Sequence, residues 1–472
     1  MIYVITLSFV VLLLVSITIY KFTQVKTQTD FMVAGRKLSW PVLVFTLLSS
    51  WIGAGSLLGG SENAYKHGFA ALWQPAGGWL GLLLIAAIAG RARHFAQFTV
   101  PDLLEARYNS TARVLATIAI VISYVVITSY QFIGGGDILH LIFPGVPREV
   151  GLWIMAGFVI FFTAMAGMAS IAYLDLLIGS VVTLTVIVAV PVLLHNAGGW
   201  STVRAALPAT HFQPLGDYDL GGAIGLMLPT TLLLIGNQGM YQKFFSAKSE
   251  SDARKSVIGW IVGTVILETL LITFAVIASS KLHTERPREI IALTAKQALP
   301  PLLGAILLGG VFAKVISTAN NYLFSPSTNL IHDVYQRFIN KNASPSRTMI
   351  VSRLIVVLLG LFAVLQASQF ESVLKASLYA YTIYGAAVTP SVMAVFFWRR
   401  STTAGAVSSI VLGTIVTVVW QLLQKYGPAG IQSAIAIDAV YPALAASVLS
   451  LIVVSLLTPP PSPRQLASLD AA

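Results

Sequence analysis

One apolar stretch, residues 301–332, carries Lys314, Ser317, Thr318, Asn320, Asn321, Ser325, Ser327 and Thr328, a heavy polar load for such a segment. On a helix, Lys314 and Thr318 are four residues apart and share a face, with Ser317 alongside. Adjacent hydroxyls, joined by carbonyls from an interrupted neighbouring helix, offer oxygen ligands to a small hard cation. The same hydroxyls can instead bond back to carbonyls one turn earlier, a purely structural use. A lysine inside an apolar span costs at least a few kcal/mol and marks a functional position. Its candidate partners are Asp175 and Glu268. Asp137 and Glu62 fall near the outer ends of their spans and read as solvated structural residues.

Two other segments could supply the interrupted helices. Residues 40–66 contain Gly53-Ala54-Gly55-Ser56 at their centre, followed by Gly59 and Gly60. Each glycine costs a helix about 1 kcal/mol relative to alanine, so this sequence invites unwinding that bares backbone amides and carbonyls. Such backbone is tolerated at membrane depth only where it lines a cavity or is buried in protein; close packing through small residues is the competing explanation. Residues 221–242 contain Pro229-Thr230-Thr231 and Gly236-Asn237-Gln238-Gly239. Proline removes an internal donor and kinks a helix. The two segments lie five spans apart, as an inverted repeat of five helices requires, and transporters place substrate and ion sites between such broken helices. Gln74, beside Pro75, is a candidate substrate contact or a helix-starting residue.

The elements that must position these residues follow from composition. The 472 residues are 56% hydrophobic and 10% charged, against about 25% charged in soluble domains. The apolar residues come in blocks near the roughly 20 residues that cross a bilayer. Thirteen helical spans are expected, at 2–20, 40–66, 72–90, 112–141, 150–168, 172–194, 221–242, 256–279, 301–332, 349–367, 373–397, 404–423 and 440–457. The blocks do not alternate as barrel strands would. The first has no basic residue before it and several after it, the wrong polarity for a cleaved signal peptide.

With the N-terminus outside, nineteen of the 29 Lys and Arg residues fall in inner loops and nine in outer ones, Lys314 being the remainder. This excess predicts an N-out, C-in protein of the cell membrane. The net charge of +11 is thus a loop property and implies no nucleic-acid partner. The outer loop at 195–220 reads as partly helical, and the Pro-rich tail from Pro459 as disordered. There is no cysteine, which excludes disulfides and thiolate metal sites. The seven His are scattered, which argues against an enzyme; no Gly-Lys-Ser/Thr phosphate loop supports a pump, and no repeated pore loop supports a channel.

Three segments carry a family pattern: NQGMYQKFFSAKSESDARKS after the seventh span, VISTANNYLFSPSTNLIHDVYQRF in the ninth, and Tyr384 to Pro390 with the terminal FFWRR in the eleventh. They resemble the sodium:solute symporter family over nearly the whole chain. The resemblance implies an all-α membrane protein of the leucine-transporter type, a five-plus-five inverted repeat with discontinuous helices. Its divisions here would be 1–39, a first span and loop; 40–195 and 196–400, the two repeats; 401–458, two additional spans; and the tail 459–472. It implies Na+-coupled symport of a small organic solute, such as a sugar, amino acid or sialic acid, by alternating access and without catalysis. Carried over, the Na+ ligands are the carbonyls of Ser49, Ile52 and Lys314 and the hydroxyls of Ser317 and Thr318. Asp175 matches a family aspartate on the sodium exit path, or at a second sodium in some members. The solute would lie near Gly53, Ala54, Ser56, Gln74, Thr230, Leu233, Tyr379 and Thr382. Lys314 departs from the family, which usually has a small residue there. An ammonium at that point repels sodium unless paired, leaving proton-coupled or uncoupled transport with Lys314 replacing the ion as the alternative; a membrane solute sensor is another. The bilayer and the solute are the expected partners, and the protein is expected to work as a monomer.

Overall fold

A computed structural model describes residues 1–22, 28–90, 99–370, 372–463 and 465–466. Helices dominate throughout, and the one β-type pairing among the described residues is an isolated bridge between Leu38 and Ala247. This is the outcome apolar solvent imposes, since every amide and carbonyl must be satisfied inside its own segment.

The membrane-length helices begin with α1, Ile2–Phe22. The second expected span is divided into α2, Trp40–Trp51, and α3, Ser61–His67, joined by a wide helical turn at Gly55–Gly60. Next come α4, Trp73–Ala86, α5, Ser110–Ile142, and α6, Arg148–Asn196, whose two halves meet at Gly167 with a φ of 61°. The chain continues through α7, Leu220–Gly236, α8, Gln238–Ser246, and α9, Glu250–Ser279. It closes with α10, Pro301–Asn329, α11, Pro345–Ala367, α12, Val373–Ala387, α13, Thr389–Phe397, α14, Thr403–Tyr426, and α15, Val440–Leu457.

Among the described residues twelve helices are long and apolar enough to cross a membrane, against thirteen expected spans. The difference lies at Gly55–Ala86, which is continuous by length alone but reverses at Gly68. There φ is +63°, and a Cβ would stand 2.2 Å from the His211 carbonyl oxygen, so only glycine makes the turn. After it α4 packs against α7 and α9, with Gly78 against the Trp51 ring. The segment at 195–220 is partly helical, as expected, with a helix at Gly199–Ala206 and a short turn at Ala209–Phe212. Most of the tail after Pro463 lies outside the described residues.

Helices α10 and α5 are largely buried and pack against each other, and α6 packs against both. The broken α2–α3 element packs against the second half of α6, and against α9 and α10. Lipid-facing helices such as α11, α14 and α15 instead expose Leu354, Leu358, Leu365, Val419 and Leu456, as an apolar solvent permits. Asp137 and Glu62 are not solvated as expected. Asp137 is buried and paired with Arg148 and Arg288, and Glu62 holds Lys66 and the Ser372 hydroxyl.

Candidate functional site

The first break is short and is outlined by its hydrogen bonds. Helix α2 ends when Ile52 takes an extended ψ of 93°, with its N–H still bonded to the Leu48 carbonyl. Gly53 and Ala54 follow, and the helix restarts as the Leu57 N–H reaches the Gly53 carbonyl at 2.8 Å. The freed Ala54 N–H donates to Gln131 Oε1 at 2.8 Å. The freed carbonyls of Ser49 and Ile52 point at one atom, Thr318 Oγ1, at 2.8 and 3.3 Å. The Lys314 carbonyl, one turn back on α10, stands 3.0 Å from the same oxygen.

Three carbonyls around one hydroxyl is more acceptor than a single proton can satisfy. The arrangement concentrates negative partial charge at one buried point, as a small cation requires. Gly53 makes it possible: a Cβ there would lie 2.5 Å from Thr318 Cγ2, so any side chain would drive α2 from α10. Four of the five atoms expected around a cation therefore converge. The fifth is elsewhere, because the Ser317 hydroxyl donates to Asp175 Oδ1.

Asp175, on the second half of α6, is fully buried and also accepts from Thr46 Oγ1 at 2.5 Å and Asn321 Nδ2 at 3.3 Å. Lys314, equally buried, does not bond Asp175 or Glu268 directly. Its Nζ donates to Ser49 Oγ at 2.8 Å, and Ser49 Oγ donates to the Asp175 carbonyl at 3.1 Å. A second lysine enters from the other side. Lys243, counted from the sequence as a loop charge, is 1% exposed on α8 and donates to Asn321 Oδ1 at 2.6 Å. Lys243 thus reaches the Asp175 carboxylate through Asn321, whereas Lys314 is linked through Ser49 to the Asp175 backbone carbonyl. Lys243 follows the apolar block in sequence, and its burial comes from the packing of α8 against α2 and α10.

On the other side of the break is a narrow cavity lined by Trp51, Ser56, Gly60, Gln74, Pro75, Thr230, Glu268, Leu271, Ile272 and Tyr381. Of the expected solute contacts it takes in Ser56, Gln74 and Thr230. Gly53 and Ala54 instead lie behind it, against Thr318 and Gln131. Leu233 is buried in the core outside the lining, and so is Thr382; Tyr379 packs on Phe370, ring centroids 6.3 Å apart. On α12 the ring that faces the cavity is Tyr381, two residues on, a choice set by how the helix is rotated.

Glu268 was weighed from the sequence only as a lysine partner, and the structure corrects this. Its Oε1 accepts from Trp51 Nε1 at 2.9 Å and Ser56 Oγ at 3.2 Å, and its Oε2 from Trp79 Nε1 at 2.9 Å. A glutamate within an apolar helix was the one signal that could have placed it.

The second break falls at Asn237, eight residues beyond Pro229, which α7 accommodates within a continuous helix. Asn237 Oδ1 accepts from Tyr124 at 2.8 Å and from the Met240 N–H at 3.2 Å, and its Nδ2 donates to Tyr322 at 3.2 Å. The Tyr384 hydroxyl donates to the Gly236 carbonyl at 2.6 Å and accepts from the Gln238 N–H. Tyrosines therefore satisfy this interruption, leaving only the first with a surplus of carbonyls.

Comparisons with known proteins agree with this architecture. The profile of the Sodium:solute symporter family matches residues 31–413. A Sodium/proline symporter of Staphylococcus aureus is 26% identical over 432 residues, which is 87% of this chain and 84% of the relative. The substrate-bound outward-open state of a Na+-coupled sialic acid symporter superposes with a TM-score of 0.82 at 16% identity, over 98% of both chains. A nucleobase-cation-symport-1 family transporter in a closed conformation superposes at 0.60 with 12% identity, over 95% of this chain and 100% of the other. A family match over most of the chain, on a bundle whose second span breaks beside a hydroxyl-bearing helix, gives one conclusion: this polytopic membrane protein belongs to the sodium:solute symporter family, secondary active transporters of small solutes built on the leucine-transporter-like fold.

Proposed function

We propose that the chain couples Na+ entry to uptake of a small organic solute by alternating access. The Na+ would lie among the carbonyls of Ser49, Ile52 and Lys314 and the hydroxyl of Thr318, with Ser317 and Asp175 on its path to the cytoplasm. The solute would occupy the cavity beside Ser56, Gln74 and Thr230. The observation that carries this reading is the convergence of three carbonyls on Thr318 Oγ1. An ion there ties α2 to α10, and it drives transport only if its affinity differs between outward- and inward-facing states. The membrane potential adds about 2.3 kcal/mol per charge per 100 mV. The relatives named for sodium-coupled carriage of proline and of sialic acid support the same coupling.

The reading extends to architecture. Residues 40–195 and 196–400 form two inverted repeats, in keeping with breaks at Gly53 and Asn237 five spans apart, and 401–458 are additional spans. The chain sits N-out and C-in and works as a monomer. The alternative, Lys314 replacing the ion, is less well supported: its ammonium is turned to Ser49 Oγ, outside the carbonyl ring. The experiment is binding of radioactive sodium to purified protein, competed by unlabelled Na+, K+ or protons. Saturable displacement by Na+ alone is expected. Absence of sodium binding, with a response to protons only, would establish the alternative.

A further inference from the structure

The cavity walls state what kind of solute fits. Glu268 supplies the charged group of the lining, and among the described residues no Lys, Arg or His is paired with it. Both carboxylate oxygens accept from indole N–H groups, which donate and never accept. That pattern complements the ionised carboxylate. Gln74 is 5% exposed, and its Oε1 has no hydrogen-bond partner among the described residues. The remaining hydroxyl protons are committed elsewhere: Ser56 donates to Glu268, and Thr230 donates to the Leu226 carbonyl at 3.1 Å. What each presents to the cavity is lone pairs. The floor adds the rings of Trp51 and Tyr381, centroids 6.0 Å apart, surfaces that attract cations through their faces.

A cavity whose one acidic group is a carboxylate, with an unused amide oxygen beside it and no Lys, Arg or His in its lining, does not complement an anion. It complements a group that is positive and rich in N–H. We propose that the solute carries a protonated primary or secondary amine, held between Glu268 and Gln74 Oε1. The inference rests on reading this cavity as the solute site.

The test uses purified full-length protein in NaCl and pairs of probes that differ by the amine. These are L-proline with cyclopentanecarboxylate, L-alanine with propionate, and putrescine with 1,4-butanediol; glucose and choline complete the panel. At least one amine-bearing probe should raise the melting temperature, and its amine-free counterpart should not. Choline, which has no N–H, should bind at least tenfold more weakly than the best amine. Glu268→Gln should weaken that amine at least 30-fold. Gln74→Leu, which leaves the carboxylate in place, should weaken it about tenfold, and this variant decides the matter if Glu268→Gln does not yield monodisperse protein. Stabilisation by none of the amines, equal stabilisation by an amine-free counterpart or by glucose, or variants within threefold of wild type would overturn the proposal. The NaCl against KCl melting difference of wild-type protein without any solute tests the sodium site separately, so the two failures are distinguishable.

Discussion

Removing the Thr318 hydroxyl while keeping its shape isolates the cation site. Thr318→Val is the suitable change, because the side chain is wedged against Gly53 and an alanine would leave a void between α2 and α10. Without an ion, the hydroxyl has one proton to share among carbonyls at 2.8, 3.0 and 3.3 Å. Its loss should therefore cost the fold only about 1 kcal/mol, an ordinary net hydrogen bond. With Na+ bound, the same oxygen is a ligand to a full charge, and its loss should cost about 1.5–3 kcal/mol. The affinity loses the difference between the two costs, about 0.5–2 kcal/mol, which at 1.4 kcal/mol per decade is roughly a 2- to 30-fold rise in the sodium concentration for half-saturation. Trp51 sits at the break and provides the readout, as a Na+ titration of tryptophan fluorescence in detergent or nanodiscs. Ser317→Ala should shift the midpoint less, since that hydroxyl is turned to Asp175. A Thr318→Val midpoint equal to that of wild type, in protein that remains folded, would refute the assignment.

Lys314→Met removes the ammonium that donates to Ser49 Oγ; Na+ affinity should rise about tenfold, one step of 1.4 kcal/mol, and an unchanged affinity in the same titration would show that the lysine exerts no field on the site. Gly53→Ala places a methyl 2.5 Å from Thr318 Cγ2, overpacking that costs about 1–3 kcal/mol; sodium binding should be lost in radioligand assays, whereas Gly157→Ala, with nothing within 4 Å, should leave it intact. For orientation, the native chain has no cysteine, so single introduced thiols report cleanly. Lys425→Cys should react with a membrane-impermeant maleimide in intact cells and Ser344→Cys only after permeabilisation; the reverse pattern would invert the proposed topology.

The sequence determined what depends on composition and local pattern. A scarcity of charge arranged in apolar blocks leaves helices as the spanning structure, and Gly53 beside a run of polar residues on α10 locates where a helix breaks and what it breaks against. The shared face of Lys314, Ser317 and Thr318 follows from helical spacing, whereas the carbonyls of Ser49, Ile52 and Lys314 could be named in advance only through the resemblance to the symporter family. Only the tertiary structure decided the rest. That Ser317 turns to Asp175, that Lys243 is buried, that Tyr381 and not Tyr379 faces the cavity, and that Glu268 lies in the solute pocket rather than against Lys314 are matters of helix rotation and depth. Neighbouring helices set these through contacts tens to hundreds of residues apart in the chain. No period or motif within a single segment encodes which way such a helix is turned, since nearly every face of a buried helix here is apolar enough to pack.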